Sequence, residues 1–233
     1  MRRVWAAALV LFIVLILALA PRLFLVPRLS AEMAGQLAAA LNTDEVDLEI
    51  GAPLGWELLL GRIPHFEVTA ADARLGGLGI SRVELEGDGL LFQPWTLFKE
   101  RDLVPMDFGA LRGWLRIDEA DLNEVFWREV DPSRKLWLEV WPEGLVVLGT
   151  VTIWDMDLSI NIVSDVLVES GSALRFAVKE LAVQDAWLPD LLLDMLKDSF
   201  AFTVDLGEFP LPVEIQTVEF LEHEIKIGIG GRQ

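Results

Sequence analysis

Cysteine and tyrosine are absent from the 233-residue chain, and only two histidines occur. Without cysteine there is no disulfide framework, no thiolate metal site and no cysteine nucleophile. Basic residues are also scarce, at 19 against 37 acids, whereas binding to a phosphate backbone depends on clustered Lys and Arg. We therefore expect no nucleic acid partner. With 53% hydrophobic residues the chain is nevertheless too apolar to be disordered, despite its net charge of -18.

The longest apolar run lies near the N-terminus, where residues 4–20 include no polar side chain. At about 1.5 Å per residue this run spans roughly 26 Å, close to a hydrocarbon core of about 30 Å. We predict that residues 1–28 are a single-pass anchor in the cell membrane and that residues 29–233 form one extracytoplasmic domain. Ala18-Leu19-Ala20 resembles a signal-peptidase site, but Pro21 directly after it favours an uncleaved anchor.

The charge is unevenly divided between these two parts. All 37 acids follow residue 30 whereas four of the 19 bases precede it, so the predicted domain has 15 bases and a net charge of -22. Such a charge disfavours adhesion of the domain surface to anionic lipid headgroups. Arg62 and Arg116 bound an arginine-rich stretch. We interpret them either as solvated surface residues or as headgroup ligands, because a guanidinium pairs bidentately with phosphate.

The apolar periodicity of the domain predicts an α+β fold with antiparallel strands and about three helices. Stripes with a period near four, the first of them preceded by the capping residue Ser30, predict helices over 31–41, 118–130 and 188–199. Alternation predicts strands over 46–50, 56–60, 63–73 and 80–85, with turns at Gly76-Gly77-Leu78-Gly79 and Gly87-Asp88-Gly89. A change of phase predicts a β-bulge near Lys179 and Glu180.

The most informative pattern is an alternation of apolar residues at even positions from 146 to 168. A single strand of this length would be about 70 Å long, so we predict two long strands joined by a slight bend. Long strands with one apolar face indicate an elongated, strongly curved sheet. If that face lines a groove or tunnel, the residues that contact acyl chains are Trp154, Met156, Leu158 and Ile160, joined by Phe176 and Ile215 from later strands.

Residues 136–141 are apolar on both faces, because Trp137 and Trp141 alternate with smaller apolar residues. A strand of this kind is expected to be covered on both sides, by protein or by a ligand on one of them. Ordinary core packing explains the pattern equally well.

Residues suited to catalysis or metal binding are few. His223-Glu224 begins like a zinc-protease motif, but no second histidine follows and the segment is predicted as strand rather than helix. Asp155 and Asp157 resemble the Asp-x-Asp of metal-dependent glycosyltransferases, although the solvated face of a strand explains them better. No P-loop, nucleophile elbow or dinucleotide-binding motif occurs. We therefore predict a protein that is not an enzyme, with no catalytic residue, metal site or cofactor.

Several short segments of the domain follow one another in a distinctive order. They are Leu59-Leu60-Gly61-Arg62-Ile63, Leu115-Arg116-Ile117-Asp118-Glu119-Ala120-Asp121-Leu122-Asn123, Glu143-Gly144-Leu145-Val146-Val147, Ala186-Trp187-Leu188-Pro189 and Leu211-Pro212-Val213, with a closing Gly230. In this order they resemble the LmeA-like phospholipid-binding family of bacterial cell-envelope proteins. The resemblance implies an elongated sheet curled with helices around an apolar tunnel, similar to tubular lipid-binding folds, and a membrane phospholipid as partner. Because this chain is strongly acidic, no headgroup preference is inferred.

Together these features favour a membrane-anchored protein that binds or shuttles phospholipid by shielding acyl chains in an apolar groove. The alternative is a non-catalytic structural or protein-interaction module of the envelope, whose apolar strands are simply core. The two hypotheses differ in whether the interior contains a cavity.

Overall fold

The structure is a computed structural model of the 233-residue chain and describes residues 2–100, 105–153, 156–169, 171–183 and 200–231. The described helices are α1 (Arg2–Leu41), α2 (Trp56–Leu59), α3 (Pro94–Glu100) and α4 (Glu119–Glu129). The described strands are β1 (Val46–Gly51), β2 (Arg62–Leu75), β3 (Leu78–Phe92), β4 (Pro105–Asp107), β5 (Ala110–Asp118), β6 (Leu136–Trp141), β7 (Gly144–Ile153), β8 (Met156–Glu169), β9 (Ala173–Val183), β10 (Phe202–Asp205), β11 (Val213–Leu221) and β12 (Glu224–Gly231). The predicted helix over 188–199 lies outside the described residues.

The described strands confirm the α+β class and the antiparallel pairing, but they form two sheets where one was predicted. The first sheet has seven strands in the order β1-β2-β3-β5-β12-β11, with β4 paired to β3. The second has five in the order β10-β9-β8-β7-β6. The chain thus leaves the first sheet after β5 and returns to it with β11. One of the sheets curls into a half-barrel, as the predicted strong curvature requires.

One continuous helix spans both the segment predicted as an anchor and the predicted amphipathic helix. α1 runs through Pro21 and Pro27, and Ser30 lies inside it, so the predicted cap at Ser30 is wrong. The helix continues because its apolar stripe, which repeats every four residues, packs into the core. The buried members of this stripe are Leu29, Met33, Leu37 and Leu41. Among the residues described, no helix has the combination of length and apolar character that crossing a membrane requires.

Two local predictions in the first sheet are wrong. Residues 56–60, predicted as a strand, contain α2, which follows Gly55 in the left-handed conformation (φ 76°). Gly87-Asp88-Gly89, predicted as a turn, lies inside β3, where Gly87 pairs with Phe66. The turn between β2 and β3 is Gly76-Gly77, whose φ angles of 55° and 84° suit a two-residue hairpin loop.

The long alternation of the second sheet folds back on itself. β7 and β8 form an antiparallel hairpin in which Ile153 lies opposite Met156, so the predicted slight bend is wrong. The buried face also changes parity between the strands, as the paired residues Val147 and Ile162 illustrate, both of which are buried. The sequence concealed this change because residues 145–148 are apolar at every position.

The predicted bulge in β9 is confirmed. Val163 and Ser164 of β8 pair with Glu180 and Val178, which leaves Lys179 as the extra residue. The bulge allows the two halves of β9 to keep different apolar phases on one face of the sheet.

The two tryptophans of β6 are not covered by described residues in the way that was predicted. Trp137 and Trp141 are 43% and 42% exposed, whereas the alternate residues of the strand are buried. Both indole N–H groups donate to the carboxylate of Glu139, with a nitrogen–oxygen distance of 3.2 Å in each case. The outer face of β6 is therefore an amphipathic surface.

Helix α4, predicted over 118–130, is confirmed and packs between the two sheets. Asp118 occupies the N-cap position without making a side-chain capping bond. Its carboxylate instead accepts a hydrogen bond from the Ser81 hydroxyl, at 2.9 Å. On the buried side, the Phe126 ring meets Phe202 of β10 edge to face, with ring centroids 5.7 Å apart.

One face of α4 covers the free edge of β6. Side chains four residues apart on the helix bind the backbone of alternate residues in the strand. Glu119 accepts from the Val140 N–H (2.8 Å), Asn123 bonds both the N–H and the C=O of Leu138 (2.7 and 2.9 Å), and Trp127 donates to the Leu136 carbonyl (2.6 Å). Unpaired strand edges recruit other chains. By occupying the backbone groups of β6, α4 protects this edge of the second sheet from such pairing.

Candidate lipid-binding site

An apolar cavity of about 230 Å³ lies between the C-terminal half of α1 and the first sheet. The residues around it are apolar except for Gln36. They are Met33, Gln36, Leu37 and Ala40 of α1, Phe66 and Leu90 of the sheet, and Phe108, Pro210 and Leu211 of two loops. Such a lining favours an apolar ligand, because it offers few hydrogen-bond partners and because binding removes the apolar surface of both ligand and cavity from water.

Helical spacing places the α1 residues of the cavity on one face, three and four positions apart. Met33 and Leu37 are buried, and so are Phe66 and Leu90 on the sheet side. Ala40 also lines the cavity but is exposed to solvent, which marks the opening beside the last turn of the helix.

The size of the cavity limits what it can enclose. Pockets that bury a drug-sized ligand measure about 300–1,000 Å³. At about 230 Å³ the cavity is below this range, so its dimensions suit a section of an acyl chain better than a whole phospholipid.

A second, polar groove of about 740 Å³ lies between the β2–β3 turn and α4. Two of its three arginines already have partners: Arg134 pairs with Glu124 at 3.1 Å, and Arg128 donates to the Gly77 carbonyl at 3.0 Å. Asp121 also lines the groove, and burial, aided by the nearby Asp118, raises the pKa of its carboxyl. Mixed charges with mutual pairing make this groove a weak site for an anion.

A cluster on the outer face of the first sheet surrounds His65. The Nδ1 of His65 lies 2.8 Å from Asp88 and its Nε2 lies 3.1 Å from Glu67. These two hydrogen bonds raise the pKa of the histidine above its ordinary value of 6.5. With Glu86 and Asp88, His65 forms a group whose ligand atoms lie within 4.8 Å of one another, a spacing that could hold a metal ion.

The sequence did not predict this group because its members meet only through strand pairing, with His65 opposite Asp88. Arg112 donates two hydrogen bonds to the Glu86 carboxylate, at 2.9 and 3.0 Å. This pairing lowers the pKa of Glu86. The Arg112 guanidinium also occupies the carboxylate oxygens of Glu86 that a metal ion would need as ligands.

His223 lies in the turn between β11 and β12. Its Nδ1 lies 3.1 Å from Glu119, and this hydrogen bond raises the pKa of the imidazole. The ring also lies beside that of Trp141, with centroids 6.3 Å apart. His223 therefore links α4, β6 and the β11–β12 turn.

Comparison with known protein families indicates the class of ligand that suits an apolar cavity of this size. The model of a family described as LmeA-like phospholipid-binding matches residues 22–228. The chain belongs to this family. The resemblance inferred from the motifs is thereby confirmed. The family description names phospholipid binding and no catalytic activity, which is consistent with a protein that is not an enzyme. Neither a search of curated proteins nor one of solved structures gave a match.

In this LmeA-like protein, four of the residues predicted to contact acyl chains lie buried and do not line the cavity. Phe176 is representative, because it is 1% exposed and its ring stacks on Phe202 at a centroid distance of 4.5 Å. The others are Leu158, Ile160 and Ile215. Trp154 lies outside the described residues, and of Met156 only the backbone in β8 is described. Contact of these residues with lipid stays a prediction.

The two arginines predicted for a headgroup lie far apart. Arg62 is exposed at the start of β2 opposite Leu91 of β3, whereas Arg116 pairs with Arg82, nine residues earlier on β3. At about 3.3 Å per residue they are separated by roughly 30 Å and cannot share one phosphate.

Arg116 is also engaged by neighbours within its sheet. Its guanidinium lies 3.4 Å from Glu224 and 5.0 Å from the centre of the Trp114 ring. Within the described structure its Nε is buried without a hydrogen-bond partner.

The spacing of the apolar residues predicts the α1 stripe through Met33 and Leu37 as one face of an amphipathic helix, but it does not predict the cavity beneath it. The adjacent Gln36 and Ala40, which widen that face, were the local signal that it also meets a cavity. The remaining lining residues come from segments far apart in the chain, such as Phe66 and Leu211, and no local pattern marks them as neighbours.

Proposed function

We propose that the protein is a membrane-anchored, extracytoplasmic phospholipid-binding protein that shelters part of one acyl chain in the cavity beneath α1. The observation that carries this proposal is the apolar cavity of about 230 Å³ in a chain of a phospholipid-binding family. The headgroup remains outside, because the cavity is too small for a whole lipid. Residues 4–20 anchor the chain in the cell membrane.

The energy available from such a site is sufficient for binding. Burial of a methylene group yields about 0.8 kcal/mol, so enclosing about five of them yields about 4 kcal/mol, or roughly a thousandfold in Kd. No charged ligand site is needed for this affinity, in keeping with the acidic character of the domain.

The proposal is tested by photo-crosslinking of the full chain in proteoliposomes that contain a phospholipid with a diazirine in its acyl chain. Crosslinks are expected at Met33, Leu37 or Leu211, in addition to those that the bilayer itself gives within residues 4–28. Ala40→Phe places a phenyl ring at the cavity opening. If it displaces two methylenes, the loss of about 1.6 kcal/mol lowers crosslinking at the cavity roughly tenfold.

Ala39→Phe is the matched control, because Ala39 is the exposed neighbour of Ala40 and does not line the cavity. The two variants should unfold at similar temperatures and differ only in cavity crosslinks. Equal yields in the two variants, or the absence of crosslinks at Met33, Leu37 and Leu211, would reject the acyl-chain site. The latter result favours the alternative of a structural module with a filled core.

A further inference from the structure

Large apolar side chains are exposed together at one end of the molecule. Leu60, Trp95 and Phe24 are exposed by 83%, 75% and 73%, although they come from three distant segments. Leu23, Leu54 and Trp56 add to the same surface, with exposures between 46% and 67%. We call the surface formed by residues 20–29, 52–62 and 91–100 the apolar end. Contiguous apolar surface of this kind marks a site of interaction with a protein or a membrane.

Close backbone contacts show that the three segments adjoin one another. The Arg22 guanidinium donates to the Pro53 carbonyl at 3.2 Å, and a Cβ on Gly55 would lie 2.5 Å from the Arg22 nitrogen. On the other side, the Phe92 N–H donates to the Gly61 carbonyl at 2.8 Å. A Cβ on Gly61 would also meet the ring of Pro94, at 2.9 Å. Each exposed residue named above lies within a few positions of one of these contacts.

The charge of the apolar end is opposite in sign to that of the rest of the chain. Its three segments contain four bases and two acids, whereas the whole chain contains 19 and 37. Arg62 and Lys99 are exposed there. Tryptophan beside Arg and Lys is the composition that proteins place at a membrane interface, where the indole sits among headgroups and the cations meet anionic lipid.

The apolar end also lies where the apolar run of α1 reaches the domain. Residues 4–20 are followed directly by Pro21, which packs against the same Gly55 as Arg22 does. Four large side chains of this run are exposed by 51–77%, namely Trp5, Leu9, Phe12 and Ile16. A bilayer that takes up this run therefore meets the apolar end next.

We infer that the apolar end is a second membrane contact, which inserts Trp56, Leu60 and Trp95 into the interface of an anionic bilayer and fixes the orientation of the domain. This inference rests on the proposed anchoring by residues 4–20. The anchor holds the surface beside the bilayer at high effective concentration, so even modest insertion by these side chains is sufficient. A protein partner would have no such tether to this end of the molecule.

The experiment uses the absence of cysteine from the chain, which makes any introduced thiol unique. Trp95→Cys and Leu60→Cys, labelled with the environment-sensitive dye NBD, report on the apolar end. Trp141→Cys is the control, because this tryptophan is also exposed but lies against His223, about 30 Å from Leu91 as measured along β3. The full chain is reconstituted into vesicles of phosphatidylcholine and phosphatidylglycerol.

Labels at positions 60 and 95 are expected to emit at shorter wavelength, to be quenched by doxyl-labelled lipid and to be severalfold less accessible to aqueous iodide than the label at 141. Iodide accessibility equal to that of position 141 overturns the inference. Protection from iodide without quenching by lipid also overturns it, since a protein or a second copy then covers the surface.

Carbonate extraction of the same vesicles separates this inference from the proposed function. A chain that resists extraction while its labels at 60 and 95 stay in water is anchored but lacks the second contact. An extractable chain whose labels respond to doxyl lipid lacks the anchor but keeps the contact. Extraction of the chain together with unresponsive labels refutes both the anchor and the second membrane contact.

Discussion

Asn123 provides the most direct test of how the two sheets are held together. Its amide is 8% exposed and makes two hydrogen bonds with the backbone of Leu138, at 2.7 and 2.9 Å. Each bond contributes about 1 kcal/mol, and an unsatisfied buried group costs about 1–3 kcal/mol. Asn123→Ala is therefore expected to lower the free energy of unfolding by about 2–4 kcal/mol. For a chain of this size that corresponds to a fall of roughly 5–15 °C in Tm.

The measurement is denaturant and thermal unfolding of the full chain in detergent, monitored by tryptophan fluorescence. Asn161→Ala is the control, because Asn161 is exposed on β8 and its side chain makes no hydrogen bond with a described residue. Its effect should stay within about 0.5 kcal/mol. Asn123→Leu keeps the branched shape of the side chain, exchanges its polar atoms for methyl groups and leaves the backbone of Leu138 without these two hydrogen bonds. If it is as stable as the parent chain, the hydrogen bonds to β6 do not stabilise the fold.

Two further predictions concern the first sheet. Gly87→Ala places a Cβ against the ring of Phe66, so we expect a loss of about 1–3 kcal/mol in unfolding free energy and weaker crosslinking in the cavity, and unchanged values of both would contradict the contact. The hydrogen bonds of His65 to Asp88 and Glu67 raise its pKa above 6.5 in the folded state. Its contribution to stability is therefore complete below pH 6.5 and lost as the pH rises through the higher folded value. His65→Gln should reduce this decline in Tm, and an identical pH profile in the variant would refute the assignment.

The sequence predicted elements whose pattern is generated by their own residues. The phase change at Lys179 is a local signal, because a bulge adds one residue to a strand whatever its partner is. The apolar stripe of α4 is also a local signal. The covering of the β6 edge by this helix is not, because Glu119, Asn123 and Trp127 are polar or amphipathic residues whose partners lie on β6. A periodicity that scores only apolar positions therefore finds the helix and misses how it closes the sheet.

The predictions were wrong where one sequence pattern is compatible with two different local structures. Residues 56–60 alternate as a strand does, yet the left-handed Gly55 starts a short helix there. Gly87-Asp88-Gly89 has the composition of a turn, yet the missing Cβ of Gly87 serves to seat the Phe66 ring across the strand pair. The candidate cavity could not be predicted, because it depends on distant segments meeting beneath α1. The length of the even-numbered alternation suggested a tunnel, but the pattern is divided between two strands, and Leu158, Ile160 and Ile162 of β8 are buried in the core.

The position of the cavity relative to the apolar end gives the two proposals a common physical basis. On α1, Phe24 at the apolar end precedes Met33 at the cavity by nine residues, or about 14 Å of helix. On β3, the buried Leu90 lines the cavity and the exposed Leu91 beside it belongs to the apolar end. If the apolar end rests on the bilayer, an acyl chain reaches the cavity while its headgroup stays among the exposed bases at the interface. The 35 acids outside the apolar end would then be repelled by an anionic leaflet, which disfavours every other orientation of the domain. A charge such as Trp95→Glu should accordingly slow the entry of lipid without altering the cavity, so that crosslinking at Leu37 is delayed and still reaches the parent yield.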